Sequence, residues 1–417
     1  MSSIRFAFPL LCIFSILLSS CSNFYLTPEP SNPLMATLKS PAQDAPVKIT
    51  STTRTTSKTG DGKVFKIGLL LPFTGPLAFL GEGYKMGIDL ALKEENNEIA
   101  GIPVDVILAD TGGTPEGTVL AATDLIQTSK VNLLIGPGTS PEALAAIPIV
   151  STGQTPLIDG TSTSPKLFDQ MGENGSQWYY RINADEKILA RAFAFRITKG
   201  IKSIAIIAED SVFTKDVVAE YLSLFRNAGL TVTLEEYFPA TNTEYRPVLF
   251  RTRQSRPDAL FLVMSETSCA ILMRQYKISY TTIPVYSRGA CATNLFNQIV
   301  HDDISIGKNI TEAVIFSELQ DPKLAIEFQK EYRQSLSGHR MAGYYIAKYG
   351  FIPALQFLVK SGKEITPENI RKSIDTVSSQ TAIGQLDFDK YNQAYLNAVL
   401  LTNKNGSPTI LESLPLK

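Results

Sequence analysis

Histidine is almost missing: among 417 residues only His301 and His339 carry an imidazole. A histidine-rich metal site and a nucleophile activated by a neighbouring histidine are thereby nearly excluded. Cysteine is scarce as well, four in the whole chain, which is no disulfide scaffold. Charge of either sign is not in excess, with 39 Lys and Arg against 40 Asp and Glu. That balance argues against nucleic acid as the main partner, since such proteins show a basic field. The chain also lacks Gly-x-x-x-x-Gly-Lys-Ser/Thr, Gly-x-Gly-x-x-Gly, Cys-x-x-Cys and Gly-x-Ser-x-Gly. What it has is apolar material, 44% of residues, in a length that suggests two or three domains at roughly 150 residues each.

The N-terminus carries the most specific local pattern. Arg5 precedes an apolar run from Phe6 to Leu18. At about 13 residues it is too short to span the hydrocarbon core as a helix and reads as a signal-peptide core. Leu18-Ser19-Ser20-Cys21 follows and resembles a bacterial lipoprotein box. The resemblance implies removal of residues 1–20 and acylation of Cys21, with an ordinary secretory signal as the alternative. Two or three acyl chains anchor firmly, at about 0.8 kcal/mol per buried methylene. Ser22 in place of Asp points to the outer membrane if the cell is Gram-negative. Residues 21–63, with Pro28, Pro30, Pro33, Pro41, Pro46 and a Thr/Ser-rich run from Thr50 to Ser57, read as a disordered tether. As a flexible coil it reaches roughly 35 Å.

From Val64 onward short apolar runs alternate with helical patterns. Strands are expected at Phe65–Leu71, Val104–Leu108, Val131–Ile135 and Pro156–Ile158, separated by helices over Gly83–Glu95, Thr118–Thr128 and Pro141–Ser151. The pattern restarts after Tyr179–Ile182, with strands at Ser203–Ala208, Thr231–Phe238, Ala259–Met264 and Ile283–Tyr286. Near-continuous apolar strands between helices imply parallel sheets covered on both faces. Helices over Leu324–Leu336 and Tyr344–Val359 follow, and Ile383–Phe388 and Ala394–Leu401 read as a strand pair. The fold class is therefore α/β with two doubly wound sheets. Two such units facing each other form a cleft beyond the carboxyl ends of their strands.

Catalytic motifs fail in context. Asp110-Thr111-Gly112 has no second copy to share a proton with, as aspartic proteases require. Ser305-x-x-Lys308 and Lys58-Thr59-Gly60 occur in the wrong order for a β-lactamase-like enzyme. No catalytic residue, metal or cofactor is nominated. Three small polar loops stand at strand ends instead: Pro72 to Gly81, Gly136 to Pro141, and Asp159 to Pro165. Hydroxyls and backbone N–H groups at helix starts suit anions, although Ser140 and Ser164 can equally serve as helix caps.

The run Ile67-Gly68-Leu69-Leu70-Leu71-Pro72-Phe73-Thr74-Gly75-Pro76-Leu77 resembles the opening strand and loop of type I periplasmic binding proteins, the leucine/isoleucine/valine branch in particular. Ile135-Gly136-Pro137, Thr161-Ser162-Thr163-Ser164-Pro165 and Pro257-Asp258-Ala259-Leu260-Phe261 continue the likeness in order. It implies two lobes joined by three crossovers that close over a ligand: residues 64–182 plus 318–378, and 183–317 plus 379–417. It places carboxylate-holding hydroxyls on Thr139 or Ser140 and on Thr163. It places first-lobe pocket residues at Phe79 or Leu80, second-lobe ones at Phe213 and at Ser265 or Glu266, and Tyr344 near the cleft.

Where amino-acid binders of this family hold the ligand ammonium with an acid, the sequence has Arg288. Arginine takes a carboxylate, not an ammonium. Either the ligand is no ordinary α-amino acid, or Glu266 supplies the acid, or the cleft has lost binding. Arg288 paired with Glu209 or Asp210 at the cleft edge is the structural alternative. Asp110-Thr111-Gly112-Gly113-Thr114-Pro115-Glu116-Gly117 is similar, in a second resemblance, to penicillin-binding-protein activator lipoproteins, which serve as interaction modules in cell-wall synthesis. Cys269 and Cys291 each follow a second-unit strand, so a disulfide or two separate buried thiols are both open. The expectation is a lipid-anchored solute-binding protein facing the periplasm, taking a small polar, amino-acid-like or carboxylate ligand to an ABC permease. The alternative partner is a peptidoglycan synthase.

Overall fold

The computed structural model describes residues 50–51 and 62–416, apart from 280–282, 290 and 337. The signal segment, Cys21 and most of the tether lie outside the described residues. No helix among those described is long and apolar enough to cross a membrane.

Phe65–Leu71 buries six of its seven residues, as a central parallel strand must. It is β2 of a first lobe that runs β1 (Thr50–Ser51), β2, α1 (Ala78–Glu94), β3 (Glu98–Ile99), β4 (Ile102–Asp110), α2 (Pro115–Gln127), β5 (Leu133–Ile135), α3 (Ser140–Thr152), β6 (Leu157–Asp159) and β7 (Tyr179–Arg181). The chain crosses to a second lobe with α4 (Glu186–Ile197), β8 (Ser203–Glu209), α5 (Val212–Asn227), β9 (Thr231–Phe238), α6 (Arg246–Ser255), β10 (Ala259–Val263), α7 (Glu266–Ser279), β11 (Val285–Ser287), α8 (Asn294–Ile299) and β12 (Ile310–Val314). It returns for α9 (Pro322–Tyr332), α10 (Gly338–Tyr345), α11 (Ile352–Lys360), α12 (Pro367–Ile374), β13 (Ser378–Thr381) and β14 (Gly384–Asp387). It crosses a third time for β15 (Ala398–Lys404) and β16 (Ser407–Leu414).

The first sheet has the order β1-β4-β2-β5-β6-β7, and the second β16-β15-β12-β11-β10-β8-β9. Strands β2, β4, β5, β6 and β7 pair in parallel, and so do β8 to β12. Antiparallel pairs occur only toward the edges: β1 and β3 on β4, then β15 on β12 and β16 on β15. Each sheet has an apolar core on both faces, so each lobe is doubly wound as expected. Helices α1 and α10 approach through glycine. A Cβ on Gly87 would meet the Arg340 carbonyl oxygen at 2.0 Å, and one on Gly343 the Tyr84 carbonyl at 2.2 Å. No larger residue fits either position without separating the helices.

Three details differ from the sequence expectation. Thr50 and Ser51, read as tether, pair antiparallel with Leu108 and Ile107. The β4 edge would otherwise present open N–H and C=O groups there, and Thr50 and Ser51 pair with them. The third crossing lies near residue 397 rather than 379, because Ile383, Leu386, Ala394 and Leu396 are buried in the first-lobe core. Finally, Ile383–Phe388 and Ala394–Leu401 do not pair with each other: β14 pairs with β13, and β15 with β12 and β16. The apolar runs were correctly located, but an apolar run does not name its partner.

The crossings are tied together. Arg181 is fully buried; its Nε donates to Gln393 Oε1 at 2.6 Å, Nη1 to the Ser164 carbonyl at 3.0 Å and Nη2 to Asp185 at 3.1 Å. The Gln393 amide answers to the carbonyls of Arg181 and Asn183. Gln320 reaches the Asn397 carbonyl at 3.0 Å, which links the second crossing to the third.

Candidate functional site

The loops after β5 and β6 meet at the carboxyl edge of the first sheet. Ser140 opens α3, and its Oγ accepts the backbone N–H groups of Thr163 and Ser164, at 3.3 and 3.2 Å. It is therefore the clasp between two loops, not the cap of α3. Thr139 holds the cap position, yet its hydroxyl donates to Glu142 Oε2 at 2.7 Å instead of capping. Glu142 is buried and also receives the Thr111 hydroxyl. Burial pushes its carboxyl up, against the pull of those two hydroxyls. Asp159, fully buried, accepts the N–H groups of Thr161 and Ser162 and the Tyr179 hydroxyl, and burial raises it as well. These acids hold the loops in shape from beneath.

Facing them is the start of the second lobe. A cavity of about 120 Å³ lies between Ser140, Pro141, Leu144, Thr163, Ser164, Pro165 and Lys166 on the first lobe and Glu186, Phe213, Asp216 and Val217 on the second. Two polar links frame it. The backbone N–H of Glu186 donates to the Thr163 carbonyl at 2.9 Å. At the rim Lys166 Nζ meets both Asp216 oxygens, at 3.2 and 3.3 Å, across the lobes. The walls between are proline, leucine, valine and phenylalanine.

Arg288 follows β11 and is buried. Its fork grips Glu186, with Nε to Oε1 and Nη2 to Oε2 both at 3.0 Å. Burial alone would lower the guanidinium, but Glu186 outweighs it. The partner is thus Glu186, not Glu209 or Asp210. Glu209 instead accepts the Ser265 N–H and hydroxyl, and Asp210 pairs with Lys215. The reason is topological: α4 begins right at the first crossing, so its first residue sits under the strand ends of the second sheet.

Of the nominated residues, Ser140, Thr163 and Phe213 line the cavity, and Arg288 stands behind it through Glu186. Thr139 is turned to Glu142. Phe79 is 62% exposed with its ring edge-on to His339 at 6.1 Å, and Leu80 is buried on α1. Neither is among the cavity residues. Glu266 begins α7, half-buried, its carboxyl pushed up by burial and by Glu209. Tyr344 does not face the cleft: its hydroxyl donates to Glu94 at 2.9 Å inside the first lobe. Sequence reasoning missed Glu186, Lys166 and Asp216. For Glu186 the available signal was its place one residue after the Asp185 cap.

Cys269 and Cys291 are joined in a disulfide, with Cα atoms 5.7 Å apart. It ties the first turn of α7 to the segment after Arg288. With the cysteines 22 positions apart in sequence, the constraint on the unfolded chain is worth roughly 3 kcal/mol. Peptide mapping without reductant should recover the two half-cystines linked, and reduction should lower the melting temperature. Two alkylatable thiols in the folded protein would refute this.

The second resemblance rested on Asp110 to Gly117. Here Asp110 accepts the N–H groups of Phe73, Thr74 and Gly112 and the Thr74 hydroxyl, which together hold its carboxyl low. The motif braces the opening loop of the first lobe.

Two lobes with parallel sheets, three crossings and a cavity between strand ends define a hinged binding fold. The chain belongs to the periplasmic binding protein family, whose model matches residues 64–406. It is 23% identical over 349 residues to Leu/Ile/Val-binding protein homolog 8 of Brucella abortus, covering 79% of this chain and 85% of the relative. Among solved structures it is similar to LivJ, the branched-chain amino acid transporter substrate binding protein of Streptococcus pneumoniae, in complex with isoleucine. The TM-score is 0.71 at 19% identity, covering 85% of this chain and 99% of LivJ. It is equally similar to a solute binding protein of an ABC transporter from Rhodopseudomonas palustris in complex with 3,4-dihydroxy benzoic acid. There the TM-score is 0.71 at 20% identity, covering 85% and 98%.

Proposed function

We propose that the chain is a lipid-anchored binding protein of the bacterial cell envelope, which captures a small polar ligand between its lobes and hands it to an ABC-type permease. The observation that carries this reading is the cavity built from both lobes, with Ser140 and Thr163 on one wall and Glu186 and Phe213 on the other. A site shared between lobes couples occupancy to closure, because ligand contacts on both sides exist only when the lobes are together. The similarity to a Leu/Ile/Val-binding protein homolog and to a solute binding protein of an ABC transporter supports it. Anchoring through Cys21 rests on the sequence of the N-terminal segment.

A thermal-shift screen against amino acids, organic acids and short amides tests the reading. A ligand at 100 times its dissociation constant adds about 2.7 kcal/mol of stability. For a ligand so found, Ser140→Ala with Thr163→Ala is expected to weaken binding roughly 10- to 100-fold, through the loss of two hydrogen bonds. Unchanged affinity in that variant would remove these residues from the site.

A further inference from the structure

We infer that the ligand is a small monocarboxylate with a compact apolar body and no ammonium group, an inference that rests on the ligand-binding reading above and narrows it. The cavity offers hydrogen-bond donors and almost no unspent acceptor. Ser140 Oγ already accepts two backbone N–H groups, so its own proton is what remains to offer. Lys166 brings an ammonium to the rim. The Thr163 carbonyl is taken by Glu186 N–H, and the Thr163 hydroxyl can donate as well as accept.

The two carboxylates that could receive a ligand ammonium each carry a countercharge already. Both Glu186 oxygens sit in the Arg288 fork at 3.0 Å, and both Asp216 oxygens on Lys166. A ligand cation beside Glu186 would lie close to the Arg288 guanidinium that already neutralises that carboxylate. A carboxylate has a route in: it takes the Ser140 proton and draws Lys166 off Asp216, which stands at the half-exposed rim and rehydrates.

The size agrees. The cavity measures about 120 Å³ between Leu144, Phe213 and Val217. An apolar cavity of about 150 Å³ holds one benzene ring. The body of the ligand is accordingly no larger than about one six-membered ring or a branched chain of similar bulk, which excludes a dipeptide.

Calorimetry on the purified protein with matched pairs tests this: 4-methylpentanoate against leucine, and phenylacetate against phenylglycine. Within at least one pair the deaminated acid is expected to bind roughly tenfold or more tightly than its amino acid. Lys166→Met, a surface change, is expected to weaken that acid roughly tenfold. An amino acid that binds as tightly as its deaminated partner, or more tightly, overturns the inference and leaves the ligand-binding reading standing. So does a Lys166→Met variant with undiminished affinity for the acid. No binding by any of the four, before and after unfolding and refolding to clear the cleft, also overturns the inference, while the ligand-binding reading falls only if the wider thermal-shift screen is flat as well.

Discussion

Arg288→Met is expected to cost roughly 3–5 kcal/mol of folding stability, and adding Glu186→Gln is expected to return most of it. Both partners are buried, with side chains 11% and 2% exposed. Their two hydrogen bonds are both 3.0 Å long and parallel, the geometry in which arginine and a carboxylate do best. Neither ion gains much from being out of water; the pair roughly offsets its own desolvation. What is expensive is one ion without the other. Methionine at 288 leaves Glu186 charged under the cleft, beside the buried Tyr221 ring and without the guanidinium that grips both its oxygens. Urea unfolding of both single variants and the double one measures the coupling. A single variant within about 1 kcal/mol of the parent would mean that water reaches the pair and the cleft floor is not closed.

The pair also shows where sequence reading stops. Parallel strands announce themselves because both faces are buried, so Ala259–Val263 stands out as an unbroken apolar run and Phe65–Leu71 as one interrupted only by Lys66 and Gly68. The polar loops after β5 and β6 are legible for the same reason, since each begins where such a run ends. Partnership is another matter. Glu186 and Arg288 are 102 residues apart, and only the packing of α4 under the second sheet brings them together. The sequence points Tyr344 toward the cleft because its helix starts near the hinge, but helix phase turns it to Glu94. The sequence hides the third crossing because Ser378–Thr381 is a polar strand of four residues, with no periodic signal strong enough to reveal the β13–β14 hairpin. Patterns of burial are local in sequence; pairings across a crossover are not.

Glu312 should make the protein less stable as pH rises. It lies on β12, fully buried, with Oε2 accepting the Ala292 N–H and Oε1 without a partner among the described residues. Burial pushes its carboxyl up to about 8, and the negative charge of Glu266 adds to the effect, while the Ala292 N–H and Arg288 pull the other way. A carboxyl that holds its proton more tightly folded than unfolded draws a proton in on folding between its two pKa values. Its contribution is full below the unfolded value of about 4.5 and is lost as pH climbs through about 8. Over pH 5 to 8 that amounts to roughly 3 kcal/mol. Glu142, Asp159, Glu266 and Glu318 are raised too and steepen the slope, so the parent alone does not isolate this group. Glu312→Gln does: the amide keeps an acceptor for Ala292 and cannot titrate. Denaturant unfolding at pH 5, 6.5 and 8 should show the variant gaining on the parent as pH rises, with the difference largest at pH 8. Parallel curves for the two proteins would show that Glu312 titrates alike folded and unfolded, and hence that water or a cation reaches Oε1.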